Sequence, residues 1–356
     1  MATLRLRDRD AITTKEGLIF RVFGYAHPPN AYICDAEYAL SKIFESDNPK
    51  AFRTDGKRVF YKFYEDEGWK FIKSGFPQHI FFHDALRSKV VGVERCNIVE
   101  VRKPEEALRK LIGKEPKDEL LNAMLSVLEI VTEQTCLSVK NFGVFGSLLH
   151  GFYHPKFSDI DLIIYGEKNA AKLREALNEL YSRRGVGLSN EFKSDKAIEG
   201  KNWRFQNYSP KEFVWHQRRK LIYGLFNDKK DGRIIKTEFE PVKDWSEISN
   251  EYDPKERIVK KDWVKMFARV TEDGDAPFIP SVYGVEPLDV LAGAKDAGSV
   301  RHVVSYMEEF RMQAQKGEKV YVEGNLEEVI TAEESFHQIT LTYCPRYYEQ
   351  VLKVAS

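Results

Sequence analysis

The stretch VFGSLLHGFYHPKFSDIDLIIYG, residues 144–166, decides the central fold of this chain. A small-residue turn, Gly146-Ser147, is followed after eleven residues by Asp159 and Asp161, which open an apolar run. Two aspartates at positions i and i+2 of a strand project from the same face, while the residue between them points into the core. Their oxygens are ligands that Mg²⁺ prefers. The stretch therefore predicts a strand, a turn and a second strand that binds metal.

This arrangement fits the transfer of a nucleotidyl group from a nucleoside triphosphate. Backbone amides at a glycine-permitted turn can cradle the polyphosphate, and paired divalent ions can activate the attacking hydroxyl and bind the leaving pyrophosphate. A third carboxylate is needed, and RIIKTEFEPV, residues 233–242, offers two on one strand face. We predict Glu238 as the third ligand, with Glu240 as its substitute.

The segment GSLLHGFYHPKFSDID, residues 146–161, resembles the signature of the polymerase-beta-type nucleotidyltransferase superfamily. Its spacing and its inner glycine, Gly151, are nearest to archaeal-type CCA-adding enzymes and their relatives. In those enzymes a later strand reads Asp-apolar-x-Pro, and EFEP would place Glu238 at that aspartate. The resemblance covers residues 116 to about 245. The chain departs from the pattern at His150, where those enzymes tend to have Arg or Lys, and at Phe152, where they tend to have Thr.

The resemblance implies a two-metal enzyme that uses Mg²⁺ or Mn²⁺ and takes an NTP, such as ATP, as substrate. Asp159, Asp161 and Glu238 would bind the metals, and Gly146 and Ser147 would bind the triphosphate. The expected acceptor is the 3′ end of RNA. Transfer to a small molecule or a protein, and a non-catalytic RNA-binding role for the same fold, are the alternatives.

The pattern of elements predicts an α+β protein with three domains. Residues 114–245 would form the nucleotidyltransferase domain, a mixed sheet with flanking helices, because DELLNAMLSVLEIVTEQ and EKNAAKLREALNELYSRRG both have helical apolar spacing. Residues 1–113 would form an α+β domain that binds substrate. Residues 246–262 would form a charged linker, and residues 263–356 a β-rich domain, interpreted as an OB-like barrel that could bind nucleic acid.

Within the N-terminal domain, two local predictions bear on function. DAEYALSKIFE, residues 35–45, is predicted as a short helix, and KRVFYKFYEDEGWKFIKS, residues 57–74, as a hairpin that turns at EDEG. Alternation along the hairpin would place basic and aromatic side chains on one face, as a nucleic-acid stacking surface requires. An ordinary half-buried hairpin has the same pattern. The residues of this face are Arg58, Phe60, Lys62 and Tyr64.

Basic residues also follow the helix start YSPK. Arg219 and Lys220 would either reach the triphosphate or form a solvated helix end. His150 and His154 are interpreted as ordinary loop histidines.

The composition narrows the class of protein. The 356 residues include 55 basic and 55 acidic side chains, so no overall field attracts a polyanion, and nucleic-acid contact would depend on a local patch. Four distant cysteines, including Cys344, have no metal-type spacing. The N-terminus has no apolar signal core, and no run approaches the ~18 apolar residues of a membrane span. We therefore expect a cytoplasmic protein, and nothing in the sequence indicates its oligomeric state.

Overall fold

The computed structural model describes residues 4–183, 185–200, 202–249, 252–342 and 346–355, so Cys344 lies outside the described residues. The chain divides into two compact units. The first unit contains residues 1–83, 88–176 and 226–252, and the second contains residues 84–87, 177–225 and 253–356. Within the described part of the chain, no helix is long and apolar enough to span a membrane.

The N-terminal part of the first unit is an eight-stranded sheet with two helices. The elements are β1 (Ala11–Thr14), β2 (Leu18–Val22), β3 (Ala31–Leu40), β4 (Phe52–Thr54), β5 (Val59–Lys62), α1 (Glu67–Gly75), β6 (Ile80–His83), β7 (Ser88–Glu94), β8 (Ile98–Arg102) and α2 (Pro104–Ile112). Six of the strands follow the order β4-β5-β3-β2-β1-β8, while β7 pairs with both β3 and β6.

Two local predictions for this sheet are wrong. Residues 35–40 are the second half of β3, because the alternating buried side chains of Tyr32, Cys34, Ala36 and Tyr38 suit a strand that pairs with β2. Residues 69–74, predicted as the second arm of a hairpin, lie instead in helix α1 (Glu67–Gly75).

The nucleotidyltransferase-like part is built around a central parallel pair of strands. Its elements are α3 (Glu119–Thr135), β9 (Phe142–Val144), α4 (Gly146–His150), β10 (Ile160–Tyr165), α5 (Glu167–Ser182), β11 (Leu188–Asn190), α6 (Pro210–Lys220), β12 (Tyr223–Asp228) and β13 (Arg233–Val242). Strand β10 pairs in parallel with β13 and antiparallel with β9, so the sheet is mixed, as predicted.

Side-chain caps begin two of these helices. The side chain of Asp118 accepts a hydrogen bond from the amide of Leu121 at 3.0 Å and caps α3. Ser209 and Glu212 form a capping box at the start of α6, in which each side chain binds the other residue's amide.

The C-terminal part of the second unit is a β-rich structure of six strands: β14 (Arg257–Glu272), β15 (Ser281–Ala292), β16 (Val300–Ser305), β17 (Lys319–Ile330), β18 (Ser335–Leu341) and β19 (Val351–Val354). The pairs run β14-β15-β16-β18-β17, and β17 pairs again with β14, so this row of five strands closes on itself. Residues 257–262 belong to β14 and pair with β17 along Arg257–Lys260, which corrects their assignment to a linker.

Candidate active site

A glycine turn joins the end of β9 to helix α4 beside strand β10. The amide of Phe145 donates to the carbonyl of Asp161 at 2.9 Å, which joins the end of β9 to β10. Gly146 has φ +57°, and a Cβ added there would lie 2.3 Å from Oδ2 of Asp161. Ser147 follows in α4, and its carbonyl accepts the amide of Phe152 at 2.9 Å. Only glycine therefore lets the Asp161 carboxylate approach the turn so closely.

Three carboxylates come from two neighbouring parallel strands. Asp161 lies opposite Glu238 in the register of β10 and β13, and neighbouring strands are about 4.8 Å apart. Asp159 directly precedes β10, two residues before Asp161. The negative charges of Glu238 and Asp159 both raise the pKa of Asp161, as expected for side chains that lie near one another.

Burial and like charge make Asp161 a weak acid. Burial is the largest cause, and the charges of Glu238, Asp159 and Glu240 add to it, so that the pKa of Asp161 rises to about 8. Asp159 is exposed, but protein atoms crowd its carboxyl group and raise its pKa, and Lys236 opposes this shift. Burial and the neighbouring carboxylates therefore disfavour the ionised form of Asp161.

The two candidate third ligands have different surroundings. Glu240 is 6% exposed, and its Oε2 accepts a hydrogen bond from Nη2 of Arg9 at 2.8 Å. Arg9 is almost fully buried and its guanidinium also lies over the ring of Phe145. Glu238 is more accessible, and its carboxylate lies 3.4 Å from the ammonium of Lys236. Glu238 thus lies opposite Asp161, whereas Glu240 is committed to Arg9.

Arg219 and Lys220 belong to the second unit, whereas the three carboxylates belong to the first. Lys220 is fully buried, and its ammonium donates to the carbonyl of Glu309 at 2.6 Å. Arg219 forms an ion pair with Glu318 at 2.5 Å and lies over the ring of Trp215. Arg219 also lines an open cavity of about 500 Å³ in the second unit. Both side chains are therefore held by partners within their own unit.

The proposed stacking face of the N-terminal domain is only partly available. Phe60 is 2% exposed, and its ring packs 4.8 Å from that of Phe152 in the loop after α4. This ring belongs to the core, which corrects its assignment to a nucleic-acid surface. Arg58 pairs with Asp55 at 2.9 Å, and the hydroxyl of Tyr64 donates to the carbonyl of Lys50.

Lys62 acts on the carboxylate of β10 instead. It is partly exposed at the end of β5, and its positive charge lowers the pKa of Asp161. It lies opposite Tyr38 in the neighbouring strand, and Tyr38 packs edge-on against Phe152. The packing of β5 against the catalytic loop therefore brings a lysine toward the carboxylates.

His150 is a core residue rather than a loop residue. It ends α4, and its ring lies 5.2 Å from Tyr38 and 5.3 Å from Phe152. Its Nδ1 is 3.1 Å from Nη1 of Arg102. Burial, with the charge of Arg102, lowers the pKa of His150 to about 3, so the ring is neutral. His154 is exposed in the following loop, where its ring packs against Phe157.

Sequence reasoning missed the buried charged segment Arg7-Asp8-Arg9-Asp10. All four residues are at most 3% exposed. Charged side chains are rarely buried without partners, and four alternating charges at the start of a chain look like an ordinary solvated segment. The burial of the two arginines depends on distant partners that the sequence does not specify: Glu240 and Phe145 for Arg9, and Glu105 and Tyr165 for Arg7.

The comparisons agree with the motif. Residues 126–240 match a family model described as a nucleotidyltransferase domain, which confirms the resemblance to that superfamily for this segment. Along the whole chain, the protein is 26% identical over 355 residues to Uncharacterized protein MJ1086 of Methanocaldococcus jannaschii, with 99% of each chain covered. No solved structure matches the chain significantly. The domain match supports a transferase that acts on nucleotides.

Proposed function

We propose that this protein transfers a nucleoside monophosphate from an NTP to a hydroxyl at the 3′ end of RNA and releases pyrophosphate. The observation that carries the proposal is the position of Asp161. It lies opposite Glu238 and two residues after Asp159, and its carboxylate lies where a Cβ at Gly146 would come within 2.3 Å of it. A carboxylate set beside a glycine turn can serve the metal and the triphosphate at the same place.

The donor set suits Mg²⁺ or Mn²⁺. It consists of carboxylate oxygens alone, which hard divalent cations prefer, and burial together with the neighbouring carboxylates raises the pKa of Asp161. Among the described residues, no three such side chains are already gathered in ligand geometry, so the ions would draw Asp159, Asp161 and Glu238 together. When bound, they would neutralise charge on the phosphates and acidify the acceptor hydroxyl.

Backbone amides and side chains of this chain would then position the reactants and accept the proton. Amides at Gly146 and Ser147 hold the β- and γ-phosphates, with Lys62 adding positive charge. The acceptor oxygen attacks the α-phosphorus, and the bond from that phosphorus to the β-phosphate oxygen breaks. The proton of the hydroxyl passes to Asp159 or Glu238, and pyrophosphate leaves with the bonding electron pair.

RNA is proposed as the acceptor because the closed row of β-strands in the second unit has the form of a small barrel, an architecture that OB-folds use for oligonucleotides. A small molecule or a protein is the competing acceptor. A binding protein without activity is the competing class.

The proposal is tested by incubating the purified full chain with each α-labelled NTP, Mg²⁺ or Mn²⁺, and total cellular RNA. We expect label in RNA with the wild type and none with Asp159→Ala/Asp161→Ala. Asp289→Ala, an exposed carboxylate on β15, is the matched control and should keep full activity. Label that enters only a small-molecule or protein fraction would exclude RNA as the acceptor. No label in any fraction would favour the binding protein.

A further inference from the structure

Phe157 is an exposed aromatic side chain beside the candidate active site. Its side chain is 80% exposed, the highest value among the large apolar side chains of the described residues. It lies in the loop between α4 and β10. Exposed apolar patches often mark binding surfaces, and Ile234 on β13 is exposed as well.

The loop that carries Phe157 is braced. The guanidinium of Arg233 donates to the carbonyls of Pro155 and Ser158, the latter at 2.8 Å. The amide of Ser158 donates to the carbonyl of His154 at 3.0 Å, and the amide of His154 donates to the hydroxyl of Ser158 at 2.9 Å. The His154 ring lies 4.6 Å from that of Phe157. The backbone that carries the ring is therefore held in place, which lowers the entropic cost of binding.

Phe157 is also close to the carboxylates. It precedes Asp159 by two residues, so their Cα atoms are at most about 7 Å apart. Because β10 and β13 are parallel, their first residues share one edge of the sheet. At that edge lie Ile234, which is 66% exposed, and the positive charges of Arg233 and Lys236, which act on Asp159.

An exposed ring flanked by cations is the combination with which proteins bind single-stranded nucleic acids, because bases stack on the ring and phosphates contact the cations. The incoming NTP would lie on the side of Asp161, since the Asp161 carboxylate lies beside the turn at Gly146. Asp159 lies two residues earlier, just before β10. The Asp159 side is left for the acceptor.

We propose that Phe157 is the stacking platform for the terminal base of the acceptor strand, with Arg233, Lys236 and the exposed Lys156, which directly precedes Phe157, beside its phosphates. The inference rests on the proposed function for its substrate. It assigns a substrate contact to a residue of the catalytic loop that binds neither metal nor triphosphate.

The test separates binding from transfer. The dissociation constant for a labelled short single-stranded RNA is measured by fluorescence anisotropy, without NTP, for wild type, Phe157→Ala and Phe157→Trp. Loss of one stacked base weakens binding roughly 5- to 150-fold, so Phe157→Ala should bind that much more weakly and Phe157→Trp should match the wild type. In transfer assays, KM for RNA should rise while KM for NTP and kcat stay unchanged. Phe82→Ala, a half-exposed phenylalanine on β6, is the control.

The outcomes distinguish this inference from the proposed function. If the wild type labels RNA but Phe157→Ala binds and uses RNA normally, the platform is refuted and the function stands. If KM for NTP rises instead, the ring serves the nucleotide and the inference is wrong. If no NTP is transferred but RNA binding still depends on Phe157, the platform stands and the activity is refuted. If the wild type does not bind RNA at all, both fail.

Discussion

Replacing Arg9 with methionine should destabilise the first unit by about 3–5 kcal/mol, which is the usual cost of removing one partner from a buried ion pair. The pair joins Nη2 of Arg9 to Oε2 of Glu240 at 2.8 Å, and both residues are buried. Methionine fills much of the space of the arginine stem but supplies no donor. The carboxylate of Glu240 would then stay buried without its strongest neutralising partner.

A double-mutant cycle isolates the pair. Glu240→Gln removes the negative charge and keeps a polar group that fits the same space. The combined variant Arg9→Met/Glu240→Gln should be more stable than the sum of the single effects by about 1–3 kcal/mol, within the range for residues in direct contact. Urea unfolding followed by far-UV circular dichroism gives the midpoint and slope for each variant.

The control is an exposed pair in the same unit. Arg58 pairs with Asp55 at 2.9 Å, but the Arg58 side chain is 50% exposed, so Arg58→Met should cost no more than about 1 kcal/mol. If Arg9→Met costs no more than Arg58→Met, or if the two single effects simply add, the charge of Arg9 does not stabilise Glu240 and the reasoning is refuted.

Three further predictions concern the site and its surroundings. Asp161→Asn and Glu238→Gln should each lower kcat by more than the roughly 10–100-fold expected for groups that only orient metal ligands, whereas Glu240→Gln should lower it less; initial rates with labelled NTP decide this, and equal losses at Glu238 and Glu240 would contradict the assignment. Gly146→Ala should abolish transfer and cost roughly 1–2 kcal/mol or more, because alanine is strained at φ +57° and its Cβ would displace the Asp161 carboxylate; unfolding and rate measurements on one preparation test both effects. Burial raises the pKa of Asp10 from 3.8 to about 8, so the native state keeps a proton that the unfolded state loses, and stability falls as pH rises from about 4 to about 8; Asp10→Asn should flatten this part of the stability profile, and an unchanged profile would show that Asp10 is ionised in the native protein.

Local signals predicted the elements that carry the motif. The capping box of Ser209 and Glu212 satisfies backbone amides within one turn, so its effect on the start of α6 does not depend on the rest of the fold. The apolar run from Ile160 is buried on both faces of its sheet. A central strand of this kind is recognised in the sequence as a continuous hydrophobic segment.

Predictions failed where pairing with distant strands decided the outcome. Residues 35–40 form a strand because β2 pairs with them, although their composition also suits a helix. Strand β15, which the sequence analysis did not identify, combines inward-facing residues such as Tyr283 with an exposed second half. A strand with this mixed burial pattern lacks the regular two-residue alternation by which a half-buried strand is identified in a sequence.

The sequence by itself determined the motif, because the chemistry of a glycine turn and of paired aspartates depends on residues close together in the chain. Tertiary structure alone decided which glutamate faces Asp161, since Glu238 and Glu240 share a strand face and differ only in register and in their distant partners. It also placed Arg9 against Glu240, buried Phe60 and Lys220, and left Phe157 in solvent. These outcomes depend on contacts between residues far apart in the chain, whose geometry is set only when the sheets pack together.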